Sequence, residues 1–405
     1  STMELHVQKA LLTELNKSEK DVQIKGVKET SGSKKGDNFI CKIKAISVEA
    51  EIEGEVRTFE YMCKSIDESK SEMMKKWHIF ERECRFYLDL LPLLGEGLKV
   101  PRPYYVSNEQ GVIFMENLCK KKYALCSEKI NMSLQHIELM LNQLSILHAS
   151  SHKLLINVQI KKKILNMFHM NEKMDMESLD FIFYSLMKSN ESALIFGGRS
   201  DLADKLGPFK SRVPEISKQF YENKEYDFTV INHGDCWTNN FLFKYDENKE
   251  LVDICVIDWQ MLVMNTPVRD VSHVLGTCLD PSYRKKHLNY LLKYYYERLS
   301  LHMEEEGLEI KGIYPYEKFC GEYREFEAHR FLLQSTLISI LFGELHANKQ
   351  EGDYTFEISD KAINEEQEKS CNQMETLSLK MAQNNPDFLK LIIDIHEEAL
   401  ENKIL

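Results

Sequence analysis

Three short β-like runs interrupt a half of the chain that is otherwise patterned for helix. They are Phe228-Thr-Val-Ile231, Phe241-Leu-Phe-Lys-Tyr245 and Leu251-Val-Asp-Ile-Cys-Val-Ile257. On either side of them apolar residues recur at helical spacing. Leu134, Ile137, Leu141, Leu144 and Leu147 follow a candidate cap at Ser133, and Phe388, Leu391, Ile392 and Ile395 follow the N-cap and first-turn proline of Asn385-Pro386-Asp387. A chain built this way is expected to hold a small β patch embedded in a large helical region. The most apolar stretch, Phe331 to Phe342, contains Gln334, Ser335, Thr336 and Ser339. It is too short and too polar to span a bilayer and reads as a buried helix.

The first third has a different texture. Asn38 to Ser47 and Arg57 to Lys64 read as strands, and residues 71–91 carry Met74, Trp77, Phe80, Cys84, Tyr87 and Leu88 along one helical side. Beyond Pro101 and Pro103, Tyr104 to Ser107 and Val112 to Met115 form a candidate hairpin around the turn Asn108 to Gly111. The expected architecture is α+β and bilobal, with a sheet-rich N-lobe over residues 1–118 and a larger, mainly helical C-lobe over 119–405.

Charge narrows the partners. The 405 residues carry 52 Lys and Arg against 64 Asp and Glu, a net −12, which disfavours a nucleic-acid partner because such binding rests on neutralising phosphates with cations. From Glu351 to the end stand 13 acidic residues against 5 lysines, so two thirds of the net charge falls there. Ten cysteines are scattered without a CxxC pair or a zinc-finger spacing, which fits reduced thiols. With no signal-peptide pattern at the start, the expectation is a cytoplasmic protein without membrane association and without an obligate protein partner.

The β patch also holds the most informative chemistry. Ile231-Asn-His-Gly-Asp-Cys-Trp-Thr-Asn-Asn240 sets Asp235 and Asn240 five apart in a loop between strands, and Asp258 closes the strand that begins at Leu251. Phosphoryl transfer needs this set: one carboxylate to orient an acceptor hydroxyl and take its proton, and an Asn with a second Asp to hold Mg²⁺ against nucleotide phosphates. In the first third, the turn-rich Ser31-Gly-Ser-Lys-Lys-Gly36-Asp-Asn-Phe39 can lie over phosphates with its backbone N–H groups, although Gly32 and Gly36 are its only glycines. Lys64 ends an apolar strand, where an inward ammonium is costly without an anionic partner, and Glu83 on the next helix can supply one.

Together these segments resemble the kinase-like phosphotransferases that include choline kinases and aminoglycoside phosphotransferases, and most closely the ecdysteroid kinase-like family. The resemblance is carried by Lys35-Gly-Asp-Asn-Phe39, Lys64, Phe80-x-x-Glu83-x-x-Phe86-Tyr87 and Pro101-Arg-Pro-Tyr-Tyr105. It continues through Met115-Glu-Asn-Leu118, Leu144-Ser-Ile-Leu-His-Ala-Ser150, His233-Gly-Asp-Cys-Trp-Thr-Asn-Asn240, Ile257-Asp-Trp-Gln260 and Pro267-x-x-Asp270, about residues 30 to 275.

The resemblance implies a protein-kinase-like fold and an ATP- and Mg²⁺-dependent kinase phosphorylating an alcohol hydroxyl, with a steroid or lipophilic xenobiotic as the favoured acceptor. It implies Asp235 as catalytic base, Asn240 and Asp258 as Mg²⁺ ligands, and Lys64 with Glu83 as the phosphate-anchoring pair. Lys35, Gly36 and Asn38 would lie over the phosphates, and the hinge from Glu116 to Leu118 would read adenine. His233 and Asp270 would hold the catalytic loop. Gln260 stands where protein kinases carry the glycine of Asp-Phe-Gly, and no Ala-Pro-Glu follows, which argues for a small-molecule acceptor. Cys41 stands where the family has a small hydroxyl residue, and Asp37 where it more often has Glu. Two other readings stay open: a choline- or aminoglycoside-type kinase, favoured by the acidic C-terminal third, and a catalytically silent binding module with the same fold.

Overall fold

The computed structural model describes residues 2–32, 41–66, 75, 77–168, 175–347 and 365–405. Helix α1 (Thr2–Leu15) leads into strands β1 (Val22–Ser31), β2 (Cys41–Ile52) and β3 (Glu55–Ile66), then helix α2 (Ile79–Arg85), which continues through a wider turn at Phe86–Leu90. Strands β4 (Pro103–Ser107) and β5 (Val112–Glu116) complete an antiparallel sheet in the order β1-β2-β3-β5-β4.

The two-residue period of this sheet sorts its side chains between two environments. Ile46, Val48 and Ala50 of β2, Tyr61 and Cys63 of β3, and Val112 and Phe114 of β5 pack under Val7, Ala10 and Leu11 of α1. The alternate residues Ile43, Met62, Lys64 and Met115 therefore turn to the other face, where they line a cleft. Sequence reasoning anticipated β2 to β5 and, within its helical side over 71–91 (71–74 and 76 lie outside the described residues), α2, but neither β1 nor α1, whose buried His6, Val7, Ala10 and Leu11 carry the i, i+3, i+4 signature.

Past the sheet come β6 (Tyr123–Leu125) and helices α3 (Leu134–Ile156), α4 (Val158–Phe168), α5 (Met176–Phe196), α6 (Ser200–Lys210) and α7 (Val213–Tyr221). Strands β7 (Val230–Asn232), β8 (Phe241–Tyr245), β9 (Leu251–Val256) and β10 (Val263–Asn265) follow. The chain ends in α8 (Val268–Thr277), α9 (Pro281–Glu305), α10 (Tyr316–Glu325), α11 (Glu327–Ala347), α12 (Glu365–Asn384) and α13 (Pro386–Glu401). The β patch is not one sheet. Strand β8 pairs with β9 and takes β6 as its other neighbour, while β7 pairs with β10. Every residue of α8 is buried, with α3, α9, α10 and α11 packed on it.

Local expectations meet mixed outcomes. Asn385 caps α13 by accepting from the Asp387 and Phe388 N–H groups at 3.0 and 3.1 Å. Ser133 does stand at the start of α3, but its hydroxyl bonds the His136 ring at 2.7 Å rather than the backbone. The segment 331–342 is a buried part of α11. Among the described residues no helix is long and apolar enough to cross a membrane.

Candidate active site

Lys64 reaches the cleft because its strand parity gives it no other face. It is 4 % exposed, and its ammonium lies 2.5 Å from Glu83 Oε2 and against Asp258 Oδ1. Burial works to strip its proton, but Asp258 and Glu83 outweigh that and hold the lysine well above its ordinary range. One ammonium with two carboxylates leaves a net charge of −1 in the trio. That surplus is stable only if a further cation joins it or solvent reaches it.

Asp258 stands two residues past the end of β9, with a left-handed backbone (φ 67°) that turns its carboxylate off the strand axis and into the cleft. Gln260 Nε2 donates to its Oδ2 at 3.1 Å, and the Gln260 carbonyl accepts from Arg82 of α2 at 2.7 Å. Trp259 between them is fully buried, stacked on Phe86 with ring centroids 4.0 Å apart. Residues 258–260 are thus clamped from both sides, by Arg82 of α2 and by His233 of the loop 233–240, whose ring lies 4.6 Å from that of Trp259.

That loop is shaped by backbone geometry. Gly234 has φ 89°, and a Cβ placed on it would sit 1.8 Å from the Met261 carbonyl oxygen, so the position admits only glycine. Asp270 at the first turn of α8 accepts from the N–H groups of His233 (2.7 Å) and Gly234 (3.1 Å), and from His148 Nε2 at 3.1 Å. Burial opposes its ionisation, yet His148 and Arg269 hold its carboxyl well below the usual carboxylate range. The buried His233 ring accepts the Asp235 N–H on Nδ1 (3.2 Å), so its proton sits on Nε2 and is donated to the Ile257 carbonyl at 2.9 Å. His233 therefore ties the loop to the strand that delivers Asp258 and does not itself face the cleft.

Asp235 and Asn240 stand together at the loop's far end. Asn240 Nδ2 donates to the Asp235 carbonyl at 2.8 Å and to its Oδ2 at 2.9 Å. Burial, reinforced by the charge on Asp258, pushes the Asp235 carboxyl up to about 7. Asn240 and Asp258 both line a cleft of about 700 Å³, together with Lys64, Glu83, Glu116 and Leu118. The Glu116 carboxylate accepts from the Arg102 N–H (2.9 Å) and pairs with Lys121, while the Leu118 carbonyl is taken by the Lys121 and Tyr123 N–H groups at 3.0 Å. Gly32, on the same wall, has no space for a Cβ, which would meet Met62 Sδ at 2.6 Å. Lys35, Gly36 and Asn38 lie outside the described residues.

The donor set suits a hard cation. One carboxylate and one amide oxygen at the rim of a cleft match Mg²⁺, which takes one or two protein ligands and fills its shell with phosphate oxygens and water. Among the described residues no group of three or more His, Cys, Asp or Glu could hold a metal ion alone.

Two residues that sequence reasoning passed over belong to this surround. Arg269 is fully buried; its Nε donates to the Phe220 carbonyl at the end of α7 (2.6 Å), and its guanidinium lies 3.7 Å over the Phe220 ring and 3.5 Å from Asp270. Its positive charge also acts on Asp235. The adjacent Arg269-Asp270 beside the apolar stripe of Val268, Val271, Val274 and Leu275 was the available signal, because charges that enter a packed helix are kept there only where they are paired. The second is Lys129, which lines the cleft and donates from Nζ to Asn239 Oδ1 at 2.9 Å.

The model of the ecdysteroid kinase-like family matches residues 35–307. No curated protein matches the chain. Solved structures similar to it include the macrolide 2'-phosphotransferase of Brachybacterium faecium, crystallised as an apoenzyme. That likeness is at 9% identity and a TM-score of 0.33, over 90% of this chain and 97% of that one, too distant to bear on function.

Proposed function

The chain belongs to the ecdysteroid kinase-like family, and from that premise we propose an ATP- and Mg²⁺-dependent kinase that phosphorylates the hydroxyl of a small-molecule alcohol in the cytoplasm. The observation that carries the reading is the convergence of Lys64, Glu83, Asn240 and Asp258 on one cleft, from four separate segments, with Asp235 bonded to Asn240.

In this reading residues 1–118 cover the nucleotide and residues 119–405 supply the catalytic loop and the acceptor site. The Glu116 carbonyl and the Leu118 N–H are the hinge groups left to read adenine. Asp235 accepts the proton of the acceptor hydroxyl as its oxygen bonds to the γ-phosphorus; the bond from that phosphorus to the bridging oxygen breaks, and ADP leaves with the electron pair. Asn240 holds Asp235 in place through its amide. Lys64, fixed by Glu83, draws charge from the phosphate chain. Mg²⁺ held by Asp258 and Asn240 supplies charge neutralisation on the phosphates when bound. His233 and Asp270 fix the loop and take no part in the transfer.

The acceptor is a neutral, lipophilic alcohol, with a steroid favoured. The case for a cationic acceptor rested on the acidic C-terminal third, and carboxylates described there are engaged elsewhere: Glu375 with Lys188, Glu397 with Arg199, and Glu398 with Arg284 and Arg330. The test is a panel of hydroxylated steroids, amino alcohols and xenobiotic alcohols incubated with MgATP, read by mass spectrometry for a gain of phosphate. A phosphorylated steroid or neutral alcohol supports the reading; phosphorylation of amino alcohols alone restores the cationic acceptor, and an inert protein that still binds nucleotide points to a silent binding module.

Asp258→Ala tests the metal assignment separately. The wild type is expected to melt higher with MgATP than with ATP and chelator, because a ligand bound to the folded state alone stabilises it. In the variant the Mg²⁺-dependent part of that shift should vanish, since Lys64 keeps Glu83 and the cleft keeps its shape. A full Mg²⁺-dependent shift in the variant would remove Asp258 from the metal site.

A further inference from the structure

We propose that Lys129 is a nucleotide-binding residue, a second cleft cation whose ammonium contacts the phosphate chain from the side opposite the sheet. The inference rests on the nucleotide reading of the cleft. It goes beyond that reading by assigning a residue outside every motif that carries the family resemblance.

The charge around Lys64 supplies the reason. Its ammonium is already matched by two carboxylates, so Lys64, Glu83 and Asp258 together present −1 to an incoming polyanion. Glu116 at the other end of the cleft is paired with Lys121 and adds no positive charge. Lys129 is a lining residue of the same cleft that arrives from the chain between β6 and α3. Its Nζ bonds the Asn239 side chain at 2.9 Å, one residue from Asn240, which stands at the metal end.

That anchor decides which part of a nucleotide the ammonium meets. Base recognition falls at Glu116 and Leu118, whereas Asn239 and Asn240 sit on the short helical turn Thr238–Asn240 and line the cleft with Asp258. An ammonium on this turn faces the phosphates, and a charge-assisted hydrogen bond to a phosphate oxygen is the strongest contact a lysine can offer there. Lys129 is half-buried and lines the cleft, so its ammonium can exchange the Asn239 contact for a phosphate oxygen.

The experiment is calorimetric titration of the full chain with ADP, MgATP and adenosine, on the wild type, Lys129→Met and Lys129→Arg. Loss of one charge-assisted bond is expected to weaken ADP and MgATP binding to the Met variant roughly tenfold, with adenosine unchanged and the Arg variant close to wild type. Unchanged ADP affinity in Lys129→Met overturns the assignment, and so does an equal loss for adenosine, which would mark the lysine as a prop for the turn. A wild type that binds none of the three ligands overturns the nucleotide reading itself, a result distinct from either.

Discussion

Replacing Asp235 by Asn should lower phosphoryl transfer roughly 10²- to 10⁴-fold while fold and nucleotide affinity survive, because general-base assistance contributes on that scale. The substitution is close to isosteric, and the amide oxygen it introduces can still accept from Asn240 Nδ2, so the loop keeps its internal bond. What disappears is the capacity to take a proton. In the structure the carboxyl is pushed up to about 7 by burial and by the neighbouring Asp258, so its proton affinity suits a base working near neutrality. The measurement is turnover of whichever alcohol the wild type phosphorylates, set beside the MgATP-induced melting shift. A variant with turnover within tenfold of wild type would mean that Asp235 only orients the hydroxyl. Lost turnover together with a lost melting shift would mean instead that the loop had collapsed.

How far this site could be read in advance depended on how local each constraint is. Asp235, Asn240 and Asp258 were legible because two short strands and the loop between them fix all three within about twenty residues, and strand parity fixed Lys64 in the same way. Glu83 was legible as a partner only because a buried ammonium needs one. Arg269 and Lys129 escaped for opposite reasons. Arg269 sits inside a helix whose all-round burial emerges only once the surrounding elements have packed on it, so whether the Arg269-Asp270 pair was surface or core could not be weighed from spacing. Lys129 follows Lys120-Lys121-Lys122, a run that reads as solvated surface, and only the pairing of β6 with β8 brings the chain after Leu125 alongside Asn239 and Asn240. Helix α1 was missed although its spacing was present, because nothing in the sequence said that the outer sheet face needed a cover. The net charge of the acidic tail says less about the acceptor than its side chains do, since Glu375, Glu397 and Glu398 close ion pairs with Lys188, Arg199 and Arg284.

The largest effect on stability is expected at Asp270. Its carboxylate serves two backbone N–H groups, one histidine and one arginine, all buried. Asp270→Ala leaves Arg269 as an uncompensated buried charge and orphans the donors of His233 and Gly234, and breaking a buried pair from one side costs about 3–5 kcal/mol. Against a typical total of about 5–15 kcal/mol, a loss of that size moves a chemical-denaturation midpoint well outside experimental scatter. Asp270→Asn should fall between, since one amide oxygen can serve only part of what two carboxylate oxygens accept. The pH dependence distinguishes lost charge from lost shape. A carboxyl held below its ordinary value of 3.8 contributes stability that is complete above about pH 4 and fades as pH falls through its folded-state value. The gap between wild type and Asp270→Asn should therefore be constant from neutrality down to about pH 4 and narrow below it. A gap that stayed level through the acid range would show that Asp270 acts through hydrogen-bond geometry alone, with Arg269 balanced by another group.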